Sequence, residues 1–195
     1  MKFLTFLITT TLVVPMATFA QDRYQSNIPQ ATVTAFENAR SVRRSGELEK
    51  SVTQLKTVIA NQPDYYLATY NLALALTDLK NYAEAETYYL KTIEIGKSKN
   101  ITDYSLYNSF GWMHLVAGDF VQAEEYFNVA LENIDKIPTE DGKRKLYNNA
   151  GLNYIYLGKH KKAKEVLNTA VTKYRSATAA QNLKMLENIK ARNKQ

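Results

Sequence analysis

The chain contains no cysteine, two histidines, four prolines and seven glycines among its 195 residues. Without cysteine it can form no disulfide and no thiolate metal site, and no Cys can carry a lipid anchor. His114 and His160 are too far apart to form a histidine pair at helical spacing, so a transition-metal site is not supported. We therefore expect stability to come from packing alone, and we expect no metal and no cofactor.

The sequence also lacks the motifs of common enzyme classes. No glycine-rich phosphate loop and no G-x-S-x-G nucleophile turn occurs. Glu124 and Glu125 are adjacent and point to different sides of a helix, so they cannot act as an acid and base pair. We expect His114 to be a half-buried packing residue and His160 to belong to a solvated basic turn. The sequence therefore predicts a protein that is not an enzyme.

The first twenty residues have their own composition. One Lys precedes an uncharged run from Phe3 to Val14, and Pro15 and small residues follow. Crossing a membrane takes about 20 apolar residues, so the run is too short for a span and is typical of a secretory signal peptide. We predict a signal peptide over 1–20, a flexible segment over 21–30, and a periplasmic or secreted protein. An uncleaved N-terminal anchor is the alternative.

The charge of the remaining chain is only modestly positive. Residues 21–195 carry 24 Lys and Arg against 19 Asp and Glu. Such an excess, spread over many helices, is usually a solubility feature, so no nucleic acid partner is expected. No stretch after residue 20 is apolar enough to cross a membrane, so we expect no membrane insertion once the signal is removed.

Small residues recur along the chain at intervals of 34, 38 and 40 residues, at Ala39, Ala73, Gly111 and Gly151. Each is followed twelve residues later by a second small residue, and four residues further by a large apolar one. Turn sequences such as AGDF (117–120) and LGKH (157–160) lie between them. Antiparallel helices approach within about 8 to 10 Å only where side chains are small, so the pattern predicts four helix–turn–helix units.

The same pattern predicts local features of these units. Gly111 should cross opposite Ala123, and Gly151 opposite Ala163, while Gly118 and Gly158 should follow helix ends with positive φ. Helices should begin at four capping residues: Asn81, Asp64, Asp103 and Asp119. Of these, Asn81 should form a capping box with Glu84, and Asp119 should form one with Gln122.

The pattern resembles the tetratricopeptide repeat (TPR), whose signature is W-x2-L-G-x2-Y followed by A-x3-F. The third unit matches at Phe110, Gly111, Ala123 and Phe127, whereas the first is degenerate, with Asn38 at an apolar position. The resemblance implies an all-α, right-handed helical-repeat solenoid of four TPR-like helix pairs over 31–175, at about 32–62, 66–99, 104–137 and 144–175. An apolar stripe at Ala180, Leu183, Leu186 and Ile189 predicts a C-terminal capping helix over 176–195.

The third and fourth repeats begin four and six residues later than a period of 34 residues would place them. We expect the extra residues in 96–103 and 136–145, where the second helices of the second and third repeats would run longer. Gly96 would then lie in a loop.

The resemblance also implies a concave groove lined by the first helix of each repeat. The positions carried over are Arg40, Arg43 and Arg44 in the first repeat; Tyr70, Leu74 and Asp78 in the second; Asn108, Trp112 and Val116 in the third; and Lys145, Asn148, Leu152 and Tyr156 in the fourth. Such a groove would begin basic and become aromatic and rich in amides, which suits a protein or peptide partner.

These features predict an exported adaptor that binds a protein or peptide partner in its groove without catalysis. Three alternatives stay open: a self-associating envelope assembly or scaffold factor that forms a homo-oligomer, an accessory subunit of a periplasmic enzyme, and, for Trp112, a place in the core. The basic residues that a terminal-carboxylate clamp needs are missing, so that known mode of the family is not expected.

Overall fold

The computed structural model describes Tyr24 and residues 27–192. The predicted signal peptide lies outside the described residues, as does half of the segment 21–30. Nine α-helices and one 3-10 turn (Ile134–Lys136) make up the described part of the chain. The helices are α1 Gln30–Arg44, α2 Leu48–Asn61, α3 Tyr66–Asp78, α4 Tyr82–Ser98, α5 Tyr104–Ala117, α6 Phe120–Glu132, α7 Glu140–Tyr156, α8 His160–Thr172 and α9 Ala177–Arg192.

The first eight helices form four successive pairs, and α9 packs against α7 and α8. We call the first helix of each pair its A helix and the second its B helix. The predicted all-α helical-repeat solenoid is confirmed. None of the described helices is long and apolar enough to span a membrane.

The helix crossings depend on residues without a side chain. A Cβ atom on Gly111 would lie 2.8 Å from the Phe127 ring and 3.2 Å from the carbonyl oxygen of Ala123, so the predicted crossing is correct. On Gly151 a Cβ atom would collide with Leu167, which is the counterpart of Phe127 forty residues later. Helices α7 and α8 therefore cross in the same way as α5 and α6, and the bulk of Leu167 fills the gap that Gly151 leaves.

The turns inside the repeats use left-handed backbone, as predicted for Gly118 (φ 90°) and Gly158 (φ 69°). The first repeat has Gly46 at φ 88°, whereas the second places Lys80 at φ 61°. A residue with a Cβ pays a steric cost there, so the turn of the second repeat is held by the helices that flank it.

Two of the four predicted caps form. Asp119 accepts a hydrogen bond from the backbone N–H of Gln122 (3.1 Å), and Asp103 accepts one from Ser105 (2.9 Å). Asn81 instead donates its side-chain amide to the Glu84 carboxylate (2.8 Å). Asp64 does not cap α3, which begins at Tyr66, because its carboxylate binds the Lys99 ammonium at 2.6 Å.

The prediction that the extra residues lengthen the B helices is correct for the second repeat only. Helix α4 does run long, but it continues to Ser98, so Gly96 is buried inside the helix and not in a loop. Its missing side chain admits the Tyr66 ring and the carbonyl of Ile101.

In the third repeat the B helix does not lengthen; α6 ends at Glu132, and α7 starts early at Glu140. The Thr139 hydroxyl caps α7 by accepting from Gly142 N–H (3.0 Å), and two carboxylates in the first turn favour this early start.

Two hydrophobic cores follow one another along the solenoid. The first extends over α1–α5 around Tyr65, Tyr89 and Phe110, and the second over α5–α9 around Phe127 and Leu167. They meet inside α5.

Helix α9 closes the second core. It buries Ala179 and Leu186, with Leu183 and Ile189 partly buried beside them, and the Ser176 hydroxyl caps its start by accepting from Ala179 N–H (3.1 Å). This packing suits a capping helix, which remains a prediction.

Candidate partner-binding face

A row of polar contacts joins each A helix to the next one, and joins α7 to α9. Each contact links residues 34 to 41 positions apart, which is about one repeat, so the joined helices run parallel. The contacts are Arg43 Nη2 to Asp78 Oδ2 (2.7 Å), Tyr70 Oη to Ser109 Oγ (2.6 Å), Asn149 Nδ2 to Asn108 Oδ1 (3.1 Å), and Asn182 Nδ2 to Asn148 Oδ1 (3.0 Å). We call the surface that carries this row the A-helix face.

The basic start of the predicted groove is largely neutralised. Arg43 is paired with Asp78, and Arg40 lies 3.3 Å from the carboxylate of Glu37. In the described chain only Arg44, of the three predicted arginines, has no ion-pair partner. The sequence could not show this, because Asp78 belongs to the next repeat.

The predicted residues of the second repeat are mostly packing residues. Tyr70 and Leu74 are half-buried against the first core. Burial raises the pKa of the Tyr70 phenol above its ordinary value, so its hydroxyl stays neutral and bonded to Ser109. These two side chains form the floor of the face.

The aromatic part of the face is exposed. Trp112 is 38% exposed, Val116 37% and Tyr156 54%. Trp112 is therefore not a core residue. The Asn108–Asn149 bond joins α5 to α7. At the 40-residue offset of these two repeats, Trp112 corresponds to Leu152 and Val116 to Tyr156, one and two helical turns after Asn108 and Asn148.

Two residues of this surface escaped the sequence prediction. The Phe120 ring stacks on Tyr156 with centroids 4.7 Å apart, and Val121 beside it is 60% exposed. They extend the apolar surface onto the turn between α5 and α6. Their only signal in the sequence was an apolar pair at the start of a B helix. We call Trp112, Val116, Phe120, Val121 and Tyr156 the aromatic patch.

The remaining predicted positions are polar. The side-chain oxygens of Asn108 and Asn148 each accept one hydrogen bond from a neighbouring amide, so their own N–H groups stay available for other partners. Lys145 lies 2.8 Å from Asp141 on the same helix, so its charge is shared locally.

His114 lies behind this face and is buried rather than half-buried. Its ring sits against Phe110 and Tyr126, its Nε2 has no hydrogen-bond partner, and its Nδ1 is 3.9 Å from an Asp119 oxygen. Burial lowers the pKa of the imidazole, against the opposing pull of the carboxylates of Glu86, Asp119 and Glu125. Residues 27–192 hold no group of three or more His, Asp or Glu side chains that could bind a metal.

Comparison with known families gives two matches, both to models of the tetratricopeptide repeat, at residues 36–99 and 145–172. The chain contains tetratricopeptide repeats. The matches leave out residues 100–144, which include α5 and the Trp112 side chain, although the structure shows a TPR-like helix pair there. A search of curated proteins gives no significant match.

Solved TPR-like structures share the fold. PilW, described as a widely conserved type IV pilus biogenesis factor, is 16% identical with a TM-score of 0.72, over 83% of this chain and 70% of that one. PilF of Pseudomonas aeruginosa is 15% identical with a TM-score of 0.71, over 84% and 70%. MamA is 18% identical with a TM-score of 0.65, over 82% of each chain. At such identities the likeness concerns the fold alone.

Proposed function

We propose that this protein is an exported adaptor that binds a protein or peptide partner on its A-helix face, without catalysis. The observation that carries the proposal is the aromatic patch. Most large aromatic side chains in the part of the chain that the structure describes are packed, yet Trp112 and Tyr156 present their rings to solvent on one face. Exposed Trp and Tyr side chains in such positions are the usual anchors of protein interfaces.

The mechanism is equilibrium capture of an extended or helical segment. The aromatic patch buries apolar side chains of the partner, and this burial provides most of the binding energy. The side-chain N–H groups of Asn108 and Asn148 donate hydrogen bonds to main-chain carbonyl groups of the partner. Leu152 and Leu74 contribute floor area, and Arg44, whose charge is not paired in the described chain, steers association more than it anchors.

The localisation is part of the proposal. The composition of residues 1–20 supports export to the periplasm or beyond the cell. One protein of similar fold, PilW, is described as a type IV pilus biogenesis factor, which agrees with a role in the cell envelope. Intact-mass measurement of the purified natural protein tests this: a mature chain that starts at Gln21 supports export, and retained Met1 contradicts it.

The binding test compares three proteins immobilised at equal density: the wild type, the double variant Trp112→Ala/Tyr156→Ala, and Leu90→Ala. Leu90 is the matched control, because it is an exposed apolar side chain (45%) on a B helix, away from the A-helix face. Each is incubated with envelope extract, and bound proteins are quantified by mass spectrometry.

We expect the double variant to lose a specific partner by about 2 kcal/mol of binding energy, roughly thirtyfold in affinity, with helix content unchanged and a melting temperature lowered by roughly 5 °C. The Leu90 variant should retain that partner. Equal capture by all three proteins would contradict the proposal.

A self-associating assembly or scaffold factor is the second candidate, because an aromatic patch can equally bury a second copy. Sedimentation velocity separates the two. A dimer that the Trp112→Ala/Tyr156→Ala variant abolishes favours self-association, whereas a monomer at all concentrations favours the adaptor.

A further inference from the structure

The positive charge is concentrated in the last two described helices. Residues 157–192 contain nine Lys and Arg against two Asp and Glu, whereas residues 27–156 contain thirteen against sixteen. The net positive charge of the described chain therefore lies at one end of the solenoid, and not over many helices as the overall composition suggested.

One flank of α8 already holds a carboxylate. Glu124 of α6, whose side chain is only 14% exposed, forms ion pairs with Lys159 and Lys162. Helix α6 carries Glu124, Glu125 and Glu132 and no Lys or Arg. The preceding B helix is thus an acidic helix, and it lies against lysines of the following one.

The opposite flank of α8 also carries a lysine, and this lysine has no ion-pair partner among the described residues. Lys164 is two residues from Lys162, and two residues correspond to about 200° around a helix, so Lys164 faces away from α6. It is exposed, and no described carboxylate lies within ion-pair distance of it.

The neighbouring face of α9 is open at the same place. The Asn148–Asn182 bond sets α9 one repeat, or 34 residues, after α7, so Met185 takes the position of Gly151. In α7 that position packs against the B helix α8. In α9 no described helix covers it: Met185 is half-buried at the rim of the second core, and Arg192, seven residues later on the same face, is exposed.

We propose that this C-terminal edge, formed by Lys164 of α8 and by Met185 and Arg192 of α9, docks an acidic amphipathic helix of a partner protein. The helix occupies the place of the next B helix. Its apolar side lies on Met185 and its carboxylates meet Lys164 and Arg192, as Glu124 of α6 meets Lys159 and Lys162. The proposal goes beyond the adaptor function, because it concerns a second surface.

The chemistry of the edge argues against other occupants. No large apolar side chain of α8 or α9 is exposed, so these helices offer nothing to insert into a lipid surface, and neither helix carries a Phe, Tyr or Trp ring on which a base could stack. A second copy joined end to end would present α1 and α2, which with their connecting turn hold five cations against three carboxylates. Like charges would then face each other.

The test uses a labelled peptide of residues 119–133, which contains α6 with its capping Asp119, as an acidic helical probe. Fluorescence anisotropy measures its binding to the full chain. A control peptide carries Gln in place of Glu124, Glu125 and Glu132. The protein variants are Lys164→Glu/Arg192→Glu and, with the same net charge, Lys80→Glu/Lys97→Glu. Circular dichroism verifies that each variant is folded.

We expect the acidic peptide to bind the wild type in a salt-dependent way and the Lys164→Glu/Arg192→Glu variant about tenfold more weakly. The Lys80→Glu/Lys97→Glu variant and the Trp112→Ala/Tyr156→Ala variant should bind it like the wild type. This last arm separates the edge from the aromatic patch, so either proposal can fail alone.

Two results would overturn the proposal: no binding of the acidic peptide, or equal affinity for all variants. Binding of the wild type to vesicles of anionic phospholipid but not to the peptide would assign the edge to a membrane surface instead. Self-association of the wild type that Lys164→Glu/Arg192→Glu abolishes, without peptide binding, would assign it to a second copy.

Discussion

The third and fourth repeats share one framework and differ in what they place on it. At an offset of 40 residues, Gly111 corresponds to Gly151 and Phe127 to Leu167, and in both repeats the glycine lets the B helix approach closely. The helix pair is therefore set by the same small residues, whereas the positions around them are free to diverge.

The divergence begins one turn after the glycine. His114 and Tyr154 occupy the same position, and both are buried. The Tyr154 hydroxyl donates to Asn128 Oδ1 at 2.8 Å, whereas Nε2 of His114 has no partner. At this position the fourth repeat satisfies its buried polar atom, whereas the third leaves one unsatisfied beside the aromatic patch. Such an atom costs free energy even when it is neutral, and far more when the group is charged.

The surfaces of the two repeats diverge further. Trp112 corresponds to Leu152 and Val116 to Tyr156, so the large aromatic ring moves from the middle of the A helix to its end. The B helices have opposite charge, with three carboxylates on α6 and three lysines against one carboxylate on α8. One framework therefore presents two binding chemistries side by side.

The largest effect is expected from replacing the crossing glycines that the two repeats share. Replacing Gly111 or Gly151 with Leu should lower the free energy of unfolding by about 3 kcal/mol or more, because the added side chain forces a close helix pair apart. We expect the loss to be larger at Gly151, where even a Cβ collides with Leu167. Chemical denaturation monitored by circular dichroism measures both.

Ala117→Leu, at an exposed position near the end of α5, is the control and should change the free energy by less than about 0.5 kcal/mol. Gly96→Leu should resemble the crossing glycines, because Gly96 is buried. Equal small shifts at all four sites would show that the crossings do not limit packing.

Truncation of Trp112 should show, through its effect on stability, that this side chain belongs to the surface and not to the core. Because the side chain is partly exposed, Trp112→Ala should cost about 1.5 kcal/mol of stability, against the 3 to 5 kcal/mol typical of a core Trp. Thermal melting of the variant measures this. A loss at the core level would mean that partner capture by this variant reports unfolding and not a lost contact.

His114 should make stability depend on pH. Its pKa in the folded protein is lowered by burial, so the unfolded chain takes up the proton first. The stabilisation is fully present above the unfolded pKa, near 6.5, and is lost as the pH falls through it toward the folded pKa. We therefore expect the free energy of unfolding to decrease as the pH falls through this window.

His114→Phe, which keeps the ring stacked with Phe110 and Tyr126, should remove this part of the pH dependence. Urea denaturation at several pH values from 7.5 to about 5 compares the two proteins. Parallel curves for the variant and the wild type would exclude His114 as the titrating group.

The smallest effect tests the charge contrast between α6 and α8. Glu124→Gln removes the carboxylate that pairs with Lys159 and Lys162, and we expect it to cost about 0.5 kcal/mol, since ion pairs near the surface contribute little. The cost should vanish in 1 M salt. A loss that salt leaves unchanged would indicate that Glu124 acts through packing.

Features that depend on neighbours in sequence could be predicted. The helix pairs, the left-handed turns at Gly118 and Gly158 and the cap at Asp119 follow from small residues, glycines and carboxylates at fixed spacing. Such features are local, because helix periodicity and capping involve residues three or four positions apart. The failures at Asn81 and Asp64 arose where a side chain found a better partner in Glu84 or Lys99.

The sequence predicted which helices carry the candidate residues, but not which of these side chains are paired or exposed. The register of the repeat placed Asn108, Trp112 and Tyr156 on the A helices, where the structure has them. It could not show that Arg43 is neutralised by Asp78, that Tyr70 is bonded to Ser109, or that Phe120 extends the aromatic patch.

The sequence alone determined the helical repeats, their number and the residues at which helices cross, because each repeat carries its own period of small and large side chains. The tertiary structure decided which side chains of the A-helix face are paired, which are exposed, and where α8 and α9 leave an open edge. These properties depend on contacts between residues 34 to 41 positions apart, which exist only after packing has set each repeat against the next.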